Sequence, residues 1–296
     1  MKLGMIGLDT SHCPAFTELL NNTENPHHVP GGRVVAAFPG GSQEMAPSRD
    51  RVERFTAQLA DQYGVKILDS IEAVAAEVDA VFLESVDGRQ HREQFARIAP
   101  FGKPVFIDKP LATSVDDARA IFELADRYGS PVLPCSSIRF ARGIEELGEG
   151  RHIIGCEAFG PAPVLPDFPA LFWYGIHTAE VLFAKMGTGC REVVARRSEN
   201  ADVVTGRWED GRIGTLYGYR IAKVSTFGAT LFTDGGVAQG TAGSDPPYYA
   251  LMLPHVLRFF ATGEAPIPRE ETLEIVAFLE AANRSRESGE PVILER

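Results

Sequence analysis

The chain has 296 residues, of which 44% are hydrophobic, and this is enough to build one large domain or two ordinary ones. Lys and Arg number 29 against 40 Asp and Glu, which gives a formal net charge of -11. Such a chain lacks the positive field that gathers phosphate backbones or anionic lipid. We therefore expect neither a nucleic acid nor a membrane as its partner.

The cysteines and histidines argue for a reduced, metal-free protein. The four cysteines show no Cys-x-x-Cys spacing, which is typical of reduced thiols in a cytoplasmic protein. His27 and His28 lie in a polar loop without an acidic or thiol partner at ligand spacing, so no metal site is predicted. The chain has no charged leader, and no apolar run approaches the ~18 residues of a membrane span. We expect a soluble, cytoplasmic protein.

From residue 2 to about 135, short apolar runs alternate with amphipathic stretches, a pattern typical of β-α units in a doubly wound parallel sheet. The predicted strands are Lys2 to Ile6, Arg33 to Phe38, Lys66 to Leu68, Ala80 to Glu84, Val105 to Ile107 and Val132 to Cys135. Helices are predicted from Arg49 to Tyr63 and from Val115 to Tyr128, each ending at a glycine. Ligands bind such sheets at the carboxyl ends of the strands, so site residues should follow strands directly.

Beyond about residue 150, longer strand-like runs with turn signals predict a second, largely antiparallel domain. Asp210 and Gly211 predict a hairpin turn. One helix is predicted over "ALFWYGIHTAEVLFAKMG", ending at Gly187, and two more over Tyr248 to Thr262 and Glu270 to Ser288. A short strand, Val292 to Leu294, closes the chain. Asp202 is interpreted as a surface or turn carboxylate.

Three stretches resemble the Gfo/Idh/MocA oxidoreductases, the family of glucose-fructose oxidoreductase and inositol dehydrogenase. They are "DAVFLESVDGRQHREQFARIAPFGKPVFIDKPLATS", "WYGIHTAEVLFAKMG" and "PREETLEIVAFLEAANRSRESGEPVIL". Their order and spacing carry the resemblance, which covers nearly the whole chain. It implies a Rossmann-type NAD(P)-binding domain, 1–135, and an α+β domain with an open-faced sheet, 136–296, for substrate and oligomerisation. The closing helix and last strand could pack back on the first domain.

The first stretch places a lysine at the edge of the sheet. Lys109 follows a buried strand and emerges at its carboxyl end, where an ammonium can polarise a substrate oxygen or anchor the nicotinamide. Asp108, Lys109 and Pro110 stand where the family has Glu-Lys-Pro, and a cis bond before Pro110 is compatible with this position. The resemblance implies that Lys109 is catalytic and that all three residues border the cofactor.

The second stretch places His177 where the family has its catalytic histidine. With a pKa near ~6.5, histidine can take a hydroxyl proton at neutral pH while hydride leaves the same carbon. Tyr174 and Glu180, three residues to either side on one helical face, are further catalytic candidates. Four residues before His177 the family usually has Asp, but this chain has Trp173. The usual acidic partner is therefore missing, and Tyr174, Glu180 or Asp9 become substitutes.

The loop after the first strand departs from the Gly-x-Gly-x-x-Gly pattern of dinucleotide sites. If Gly7 is the first glycine, Asp9 and His12 take the other two places, or the loop is shorter by about three residues. Thr10 and Ser11 are predicted to cap the next helix and leave its N-terminus facing the site. Three interpretations stay open: a shifted cofactor pose, an acid or base role for Asp9 beside His12 or substrate, or loss of the nucleotide site.

Two further strand ends complete the predicted cofactor site. The second strand is followed by Gly40, Gly41 and Ser42, with Arg49 and Arg51 nearby, and this could accept the ribose phosphate of NADP as well as NAD. Ser85, Asp87 and His91 stand where the family has Thr-Pro-Asn-x-x-His. They are expected to line the cofactor, with His91 helping to start the helix. NAD or NADP is the predicted cofactor.

Together these features predict an NAD(P)-dependent oxidoreductase acting on a secondary alcohol of a sugar, polyol or related metabolite. The resemblance implies a homodimer or homotetramer formed through the second domain's sheet. Two alternatives stay open: a metabolite-binding regulator that has lost hydride transfer, and a non-redox epimerase or lyase using the same cleft.

Overall fold

The computed structural model describes residues 1–294 and divides into two compact units. The first unit comprises residues 1–112, 116–135 and 249–267. The second comprises residues 113–115 and 136–248, together with the described residues from Pro268 onward. The domain boundary expected at residue 135 stays a prediction, and the units differ from it chiefly in assigning 249–267 to the first unit.

The first unit is built on a six-stranded sheet in the order β3-β2-β1-β4-β5-β6, with every neighbouring pair parallel. The strands are β1 (Lys2–Ile6), β2 (Arg33–Phe38), β3 (Lys66–Ile67), β4 (Ala80–Leu83), β5 (Val105–Asp108) and β6 (Val132–Cys135). The order reverses between β1 and β4, where ligands bind in doubly wound sheets. Strands β4 and β5 are buried at every residue, as central parallel strands are.

The helices between these strands are α1 (His12–Asn21), α2 (Ala46–Arg49), α3 (Val52–Tyr63), α4 (Ile71–Glu77), α5 (His91–Ile98) and α6 (Val115–Tyr128). The helix predicted from Arg49 was wrong at its start, because a separate short helix, α2, ends at Arg49. Its end at Gly64 is confirmed, since Gly64 adopts φ 65°. The bounds of α6 are confirmed.

The second unit is built on a seven-stranded mixed sheet in the order β12-β11-β7-β10-β9-β8-β13. Its strands are β7 (Ile153–Pro161), β8 (Cys190–Arg197), β9 (Ala201–Trp208), β10 (Ile213–Tyr219), β11 (Gly228–Thr233), β12 (Gly236–Thr241) and β13 (Val292–Ile293). All neighbouring pairs are antiparallel except β7 with β10. The predicted largely antiparallel sheet is confirmed, as is the hairpin at Gly211, which has φ 89°.

Four helices complete the fold: α7 (Ala170–Trp173), α8 (Gly175–Met186), α9 (Tyr248–Thr262) and α10 (Arg269–Ser288). Helices α8 and α10 pack on the sheet of the second unit, while residues 249–267, which include most of α9, belong to the first unit. The single helix predicted over residues 170–187 was wrong, because the chain breaks it at Tyr174, with φ -128° and ψ -25°.

Candidate functional site

In the first unit, Lys109 lies at the carboxyl end of β5, next to the last strand residue, Asp108. The peptide bond between Lys109 and Pro110 is cis, as the sequence allowed. Only 6% of Lys109 is exposed, and its Nζ lies 4.0 Å from Asp108 Oδ2. The ammonium is therefore held close to a buried carboxylate at the ligand-binding edge of a parallel sheet.

The imidazole of His91 holds two strand ends together. Its Nδ1 lies 3.0 Å from the carbonyl oxygen of Pro110 and 3.1 Å from that of Leu111, and its Nε2 lies 2.7 Å from the carbonyl oxygen of Ser85. His91 is the first residue of α5, but its ring is fully buried. It thus links the loops after β4 and β5 and fixes the backbone that carries Lys109, while exposing no ring surface of its own.

Asp9 points into the protein. Its side chain is fully buried; Oδ2 accepts a hydrogen bond from the Ser48 hydroxyl at 2.5 Å, and Oδ1 accepts one from the Val86 amide at 2.9 Å. Burial raises the pKa of Asp9 above its usual range, although these two hydrogen bonds oppose the shift. Of the three interpretations left open, a role beside His12 is not the one that these two hydrogen bonds favour. Asp9 instead joins the loop after β1 to helix α2 and to the loop after β4.

Among the residues around Asp9, Gly7 adopts φ 85°, and a Cβ there would lie 2.4 Å from the Ser85 amide nitrogen. This glycine therefore allows the close approach of β1 to the end of β4.

Ser11 precedes α1 but makes no capping hydrogen bond through its side chain, so the prediction that Ser11 caps this helix was wrong. The Thr10 hydroxyl accepts from the His12 amide at 3.5 Å, and Ser11 is exposed at the helix start.

The loop after β2 meets the loop after β4 through a buried hydrogen bond. The Ser42 hydroxyl donates to Asp87 at 3.1 Å, and Arg89 forms two charged hydrogen bonds to the same carboxylate, each of 2.8 Å. Burial opposes ionisation of Asp87, but Arg89 outweighs it and holds the pKa of Asp87 below its usual range. Ser42 and Asp87 therefore support the strand ends from within, and part of Arg89 faces outward.

Three buried side chains meet between α1 and the ends of β4 and β5. The Nδ1 of His12 lies 3.1 Å from Asp108 Oδ2 and 3.6 Å from Glu84 Oε2. Burial alone would lower the pKa of His12, but the neighbouring carboxylates raise it to about 9. Burial raises the pKa of Glu84 to about 7. The charges of His12 and Lys109 hold the pKa of Asp108 well below its usual range against the effect of burial.

In the second unit, His177 lies on α8 and is nearly buried. Its Nδ1 is 2.6 Å from Ser136 Oγ, which also accepts the Ile138 amide hydrogen at 3.2 Å. A serine oxygen has two lone pairs, so Ser136 can accept the Nδ1 hydrogen as well and leave Nε2 as a proton acceptor. Ser136 is thus a hydrogen-bonding partner that orients His177.

Tyr174 and Glu180 differ in their relation to His177. The Tyr174 ring contacts the imidazole edge-on at a centroid distance of 5.5 Å, despite the helix break between α7 and α8. Glu180 is instead held by Arg139, whose Nε lies 2.8 Å from Glu180 Oε2 and whose Nη2 lies 2.6 Å from Glu271 Oε1. Glu180 therefore belongs to a buried ion-pair cluster with Arg139 and Glu271.

The sequence predictions missed Glu84, Ser136 and Arg139. Glu84 was placed inside a strand, although a carboxylate ending an apolar run was a signal. Ser136 directly follows β6, where the rule on strand ends would have found it. Asp202 was wrongly assigned to the surface: it is fully buried, and both of its carboxylate oxygens pair with arginines, Arg220 at 2.5 Å and Arg286 at 2.7 Å.

Sequence comparison matches most of the first unit to a known family. Residues 3–134 match the GFO_IDH_MocA model, described as an oxidoreductase family with an NAD-binding Rossmann fold. Inositol 2-dehydrogenase of Cereibacter sphaeroides is 37% identical over 153 residues, which are 50% of this chain and 40% of that enzyme. D-xylose 1-dehydrogenase (NADP(+)) 2 of Haloferax volcanii is 23% identical over 313 residues, covering 88% of this chain and 95% of that enzyme.

Structural comparison extends the similarity to both units. Myo-inositol dehydrogenase from Lactobacillus casei, solved in complex with NAD(H) and myo-inositol, superposes with a TM-score of 0.79 at 17% identity. The alignment covers 100% of this chain and 97% of that one. A probable dehydrogenase from Thermotoga maritima gives a TM-score of 0.79 at 19% identity over 99% of each chain. Within residues 1–294, no helix is both long and apolar enough to cross a membrane. Residues 3–134 are therefore similar to the Gfo/Idh/MocA oxidoreductases and match that family's NAD-binding Rossmann fold.

Proposed function

We propose that this protein is an NAD(P)-dependent oxidoreductase that interconverts a secondary alcohol and a ketone on a polyol or sugar. The observation that carries the proposal is Lys109, which is nearly buried at the carboxyl end of β5 within the matched Rossmann fold. The relatives' names, inositol 2-dehydrogenase and D-xylose 1-dehydrogenase, support a polyol or sugar as the substrate class.

The residues of the first unit are compatible with a dinucleotide, because the Asp9 side chain is not exposed at the edge of the sheet. Its carboxyl group is fully buried and hydrogen-bonded at both oxygens, so it does not occupy the surface that a pyrophosphate would contact. The start of α1 at His12 would provide backbone amides and the positive end of a helix dipole. Gly40 and Gly41, both with positive φ, would let the backbone after β2 approach the adenosine ribose.

In the proposed reaction, Lys109 donates a hydrogen bond to the reacting oxygen and stabilises its developing negative charge. His177 accepts the hydroxyl proton at Nε2, while the Nδ1 contact with Ser136 fixes the orientation of the ring. As the O–H and C–H bonds of the alcohol break, a carbonyl forms. The nicotinamide, when bound, supplies the acceptor for the hydride. Tyr174, in edge contact with the imidazole, would border the substrate.

Turnover with a panel of inositols and aldoses, measured by the absorbance of reduced nicotinamide, tests the proposal. We expect Lys109→Ala to lower kcat/KM by about 1000-fold and His177→Ala by about 100-fold or more, since one loses charge stabilisation and the other proton transfer. Lys66→Ala and His152→Ala, which alter exposed residues, are matched controls that should retain activity. Full turnover by both site variants would refute the assigned roles.

A further inference from the structure

Glu84 is a buried carboxylate without a hydrogen bond. It directly follows β4, has no exposed surface, and neither of its carboxylate oxygens has a hydrogen-bond partner. Leaving such a group unsatisfied in the interior costs several kcal/mol, so buried charges are normally paired or bound to a metal. The surroundings of Glu84 must therefore supply a proton or a positive charge.

His12 and Asp108 face the same point as Glu84. The Nδ1 of His12 lies 3.1 Å from Asp108 Oδ2 and 3.6 Å from Glu84 Oε2. Despite these distances, His12 Nδ1 and Asp108 Oδ2 also have no partner with hydrogen-bond geometry. The imidazole nitrogen thus lies close to both carboxylates without forming a directed hydrogen bond to either.

The shortest of these separations, 3.1 Å, is the spacing of two ligands around a common ion, and the 3.6 Å separation is slightly longer. Two ligand atoms at ~2.1 Å from a metal, separated by tetrahedral or octahedral angles, are roughly 3.0–3.4 Å apart. The ligand atoms of His12, Glu84 and Asp108 all lie within 4.8 Å of one another. Three donors from three different elements therefore surround one buried point.

The elements that carry the three donors hold them rigidly. The His12 ring stacks on Phe16 at 5.4 Å and contacts Tyr249 edge-on at 5.1 Å, so aromatic packing sets its orientation. Glu84 and Asp108 are held at the ends of neighbouring central strands. A preorganised donor set of this kind binds an ion without having to order its side chains first.

The balance of nearby charges is compatible with a bound divalent cation. Lys109 Nζ lies 4.0 Å from Asp108 Oδ2 and offers one positive charge to the two carboxylates. A dication would neutralise both carboxylates with His12 as a neutral ligand, while the alternative is an imidazolium shared between them. One imidazole with two carboxylates suits a borderline ion better than Ca²⁺ or Mg²⁺, which prefer oxygen ligands alone.

We propose that His12, Glu84 and Asp108 form a binding site for one divalent transition-metal ion, Zn²⁺ or Mn²⁺, beneath Lys109. The ion would join the start of α1 to the ends of β4 and β5 and so fix the backbone that carries Lys109. The site does not depend on the proposed function, because its donors and their geometry are defined without any substrate.

Calorimetric titration of chelator-treated, dialysed protein with ZnCl₂, MnCl₂ and MgCl₂ tests the site. We expect one equivalent of Zn²⁺ or Mn²⁺ to bind with a Kd of about 10 μM or tighter, and Mg²⁺ to bind at least tenfold more weakly. Glu84→Gln keeps the size of the side chain and should weaken the preferred ion at least tenfold, with Asp108→Asn as a second variant. Glu180→Gln, at another buried carboxylate, should leave binding unchanged.

Folding of each variant is checked by circular dichroism, and His27→Ala/His28→Ala removes the pair of loop histidines as a competing site. Absence of binding by both transition ions would overturn the proposal and favour an imidazolium shared by the carboxylates. Equal binding by the parent and by whichever carboxylate variant folds would also overturn it, since the ion would then lie elsewhere. This experiment needs no substrate, so its outcome is separate from that of the turnover assay.

Discussion

At the scale of single residues, Asp9 shows how a carboxylate can occupy a nucleotide-binding loop without facing the nucleotide. The sequence alone places its charge beside a pyrophosphate. In the folded chain the side chain turns inward, where Ser48 and Val86 donate to its two oxygens. The sequence could not reveal this, because Ser48 lies 39 residues and Val86 77 residues from Asp9 along the chain.

Replacing Asp9 should therefore destabilise the fold more than it changes cofactor binding. Asp9→Ala leaves a buried hydroxyl and a buried amide without an acceptor, and we expect the free energy of unfolding to fall by about 2–4 kcal/mol. Asp9→Asn retains one acceptor oxygen and should cost about half as much. Denaturant unfolding of both variants measures the difference. Equal stability of Asp9→Ala and the parent would contradict a linking role.

The pH dependence of the same variants follows from the raised pKa of Asp9, whose ordinary value is 3.8. The folded state holds the proton more tightly than the unfolded state, so this contribution to stability is present below pH 3.8 and is lost as pH rises through the raised value. Asp9→Asn has no titrating group at this position and lacks this pH-dependent contribution. The difference in the free energy of unfolding between the parent and Asp9→Asn should therefore shrink as pH rises above about 4, and a difference that does not change with pH would contradict the raised pKa.

At the scale of elements, the approach of β1 to the end of β4 depends on one glycine. Gly7 was assigned from the sequence to a phosphate-binding loop, because glycine after a first strand is typical of that motif. The structure shows a second reason, since Gly7 has φ 85° and its Cα packs against the backbone of Ser85. Strand positions were predictable from apolar runs, whereas this contact between strand ends depends on tertiary packing.

Gly7→Ala should accordingly be among the more disruptive single substitutions in the first unit. A Cβ would lie 2.4 Å from the Ser85 amide nitrogen, and we expect a loss of more than about 3 kcal/mol in the free energy of unfolding. Gly64→Ala is the matched control, because Gly64 has φ 65° with no atom within 4 Å of the added carbon. It should cost about 1 kcal/mol, and equal losses in thermal or denaturant unfolding would contradict the packing argument.

The helix pair α7 and α8 marks a limit of prediction at this scale. An unbroken apolar pattern predicted one helix, because periodicity reports which face is buried and is insensitive to a single irregular residue. The break at Tyr174 still leaves its ring against His177. Tyr174 therefore contacts His177, although the two residues do not lie on one continuous helix as the spacing had suggested.

At the scale of the whole molecule, the fold class could be predicted from the sequence, because strand spacing and turn residues indicated both sheets. The residues that orient the site were not, since Ser136, Arg139 and Glu84 meet their partners only through tertiary contacts. Lys109 and His177 were found through family resemblance, which supplies positions that periodicity cannot. Their catalytic roles remain proposals.

The uncovered face of the second sheet supports the predicted homo-oligomer. Directly opposed residues on neighbouring strands share a face, and Tyr217, Phe232 and Val237 lie on the one opposite α8, with exposures of 45%, 40% and 64%. Exposed apolar patches of this kind mark interaction surfaces. We expect the parent to sediment as a dimer or tetramer and Tyr217→Glu/Phe232→Glu as a monomer. A monomeric parent would contradict this.

The central claim is that this chain is a nicotinamide-dependent enzyme, and the most direct measurement is calorimetric titration of nucleotide-free protein with NAD, NADH, NADP and NADPH. The account predicts that at least one of them binds with a Kd of roughly 1–100 μM, which corresponds to about 5–8 kcal/mol of binding free energy. Asp9→Gly should not improve this affinity, because Asp9 faces inward. Absence of binding by the parent, with binding gained in Asp9→Gly, would contradict the account and show that the carboxylate closes the site.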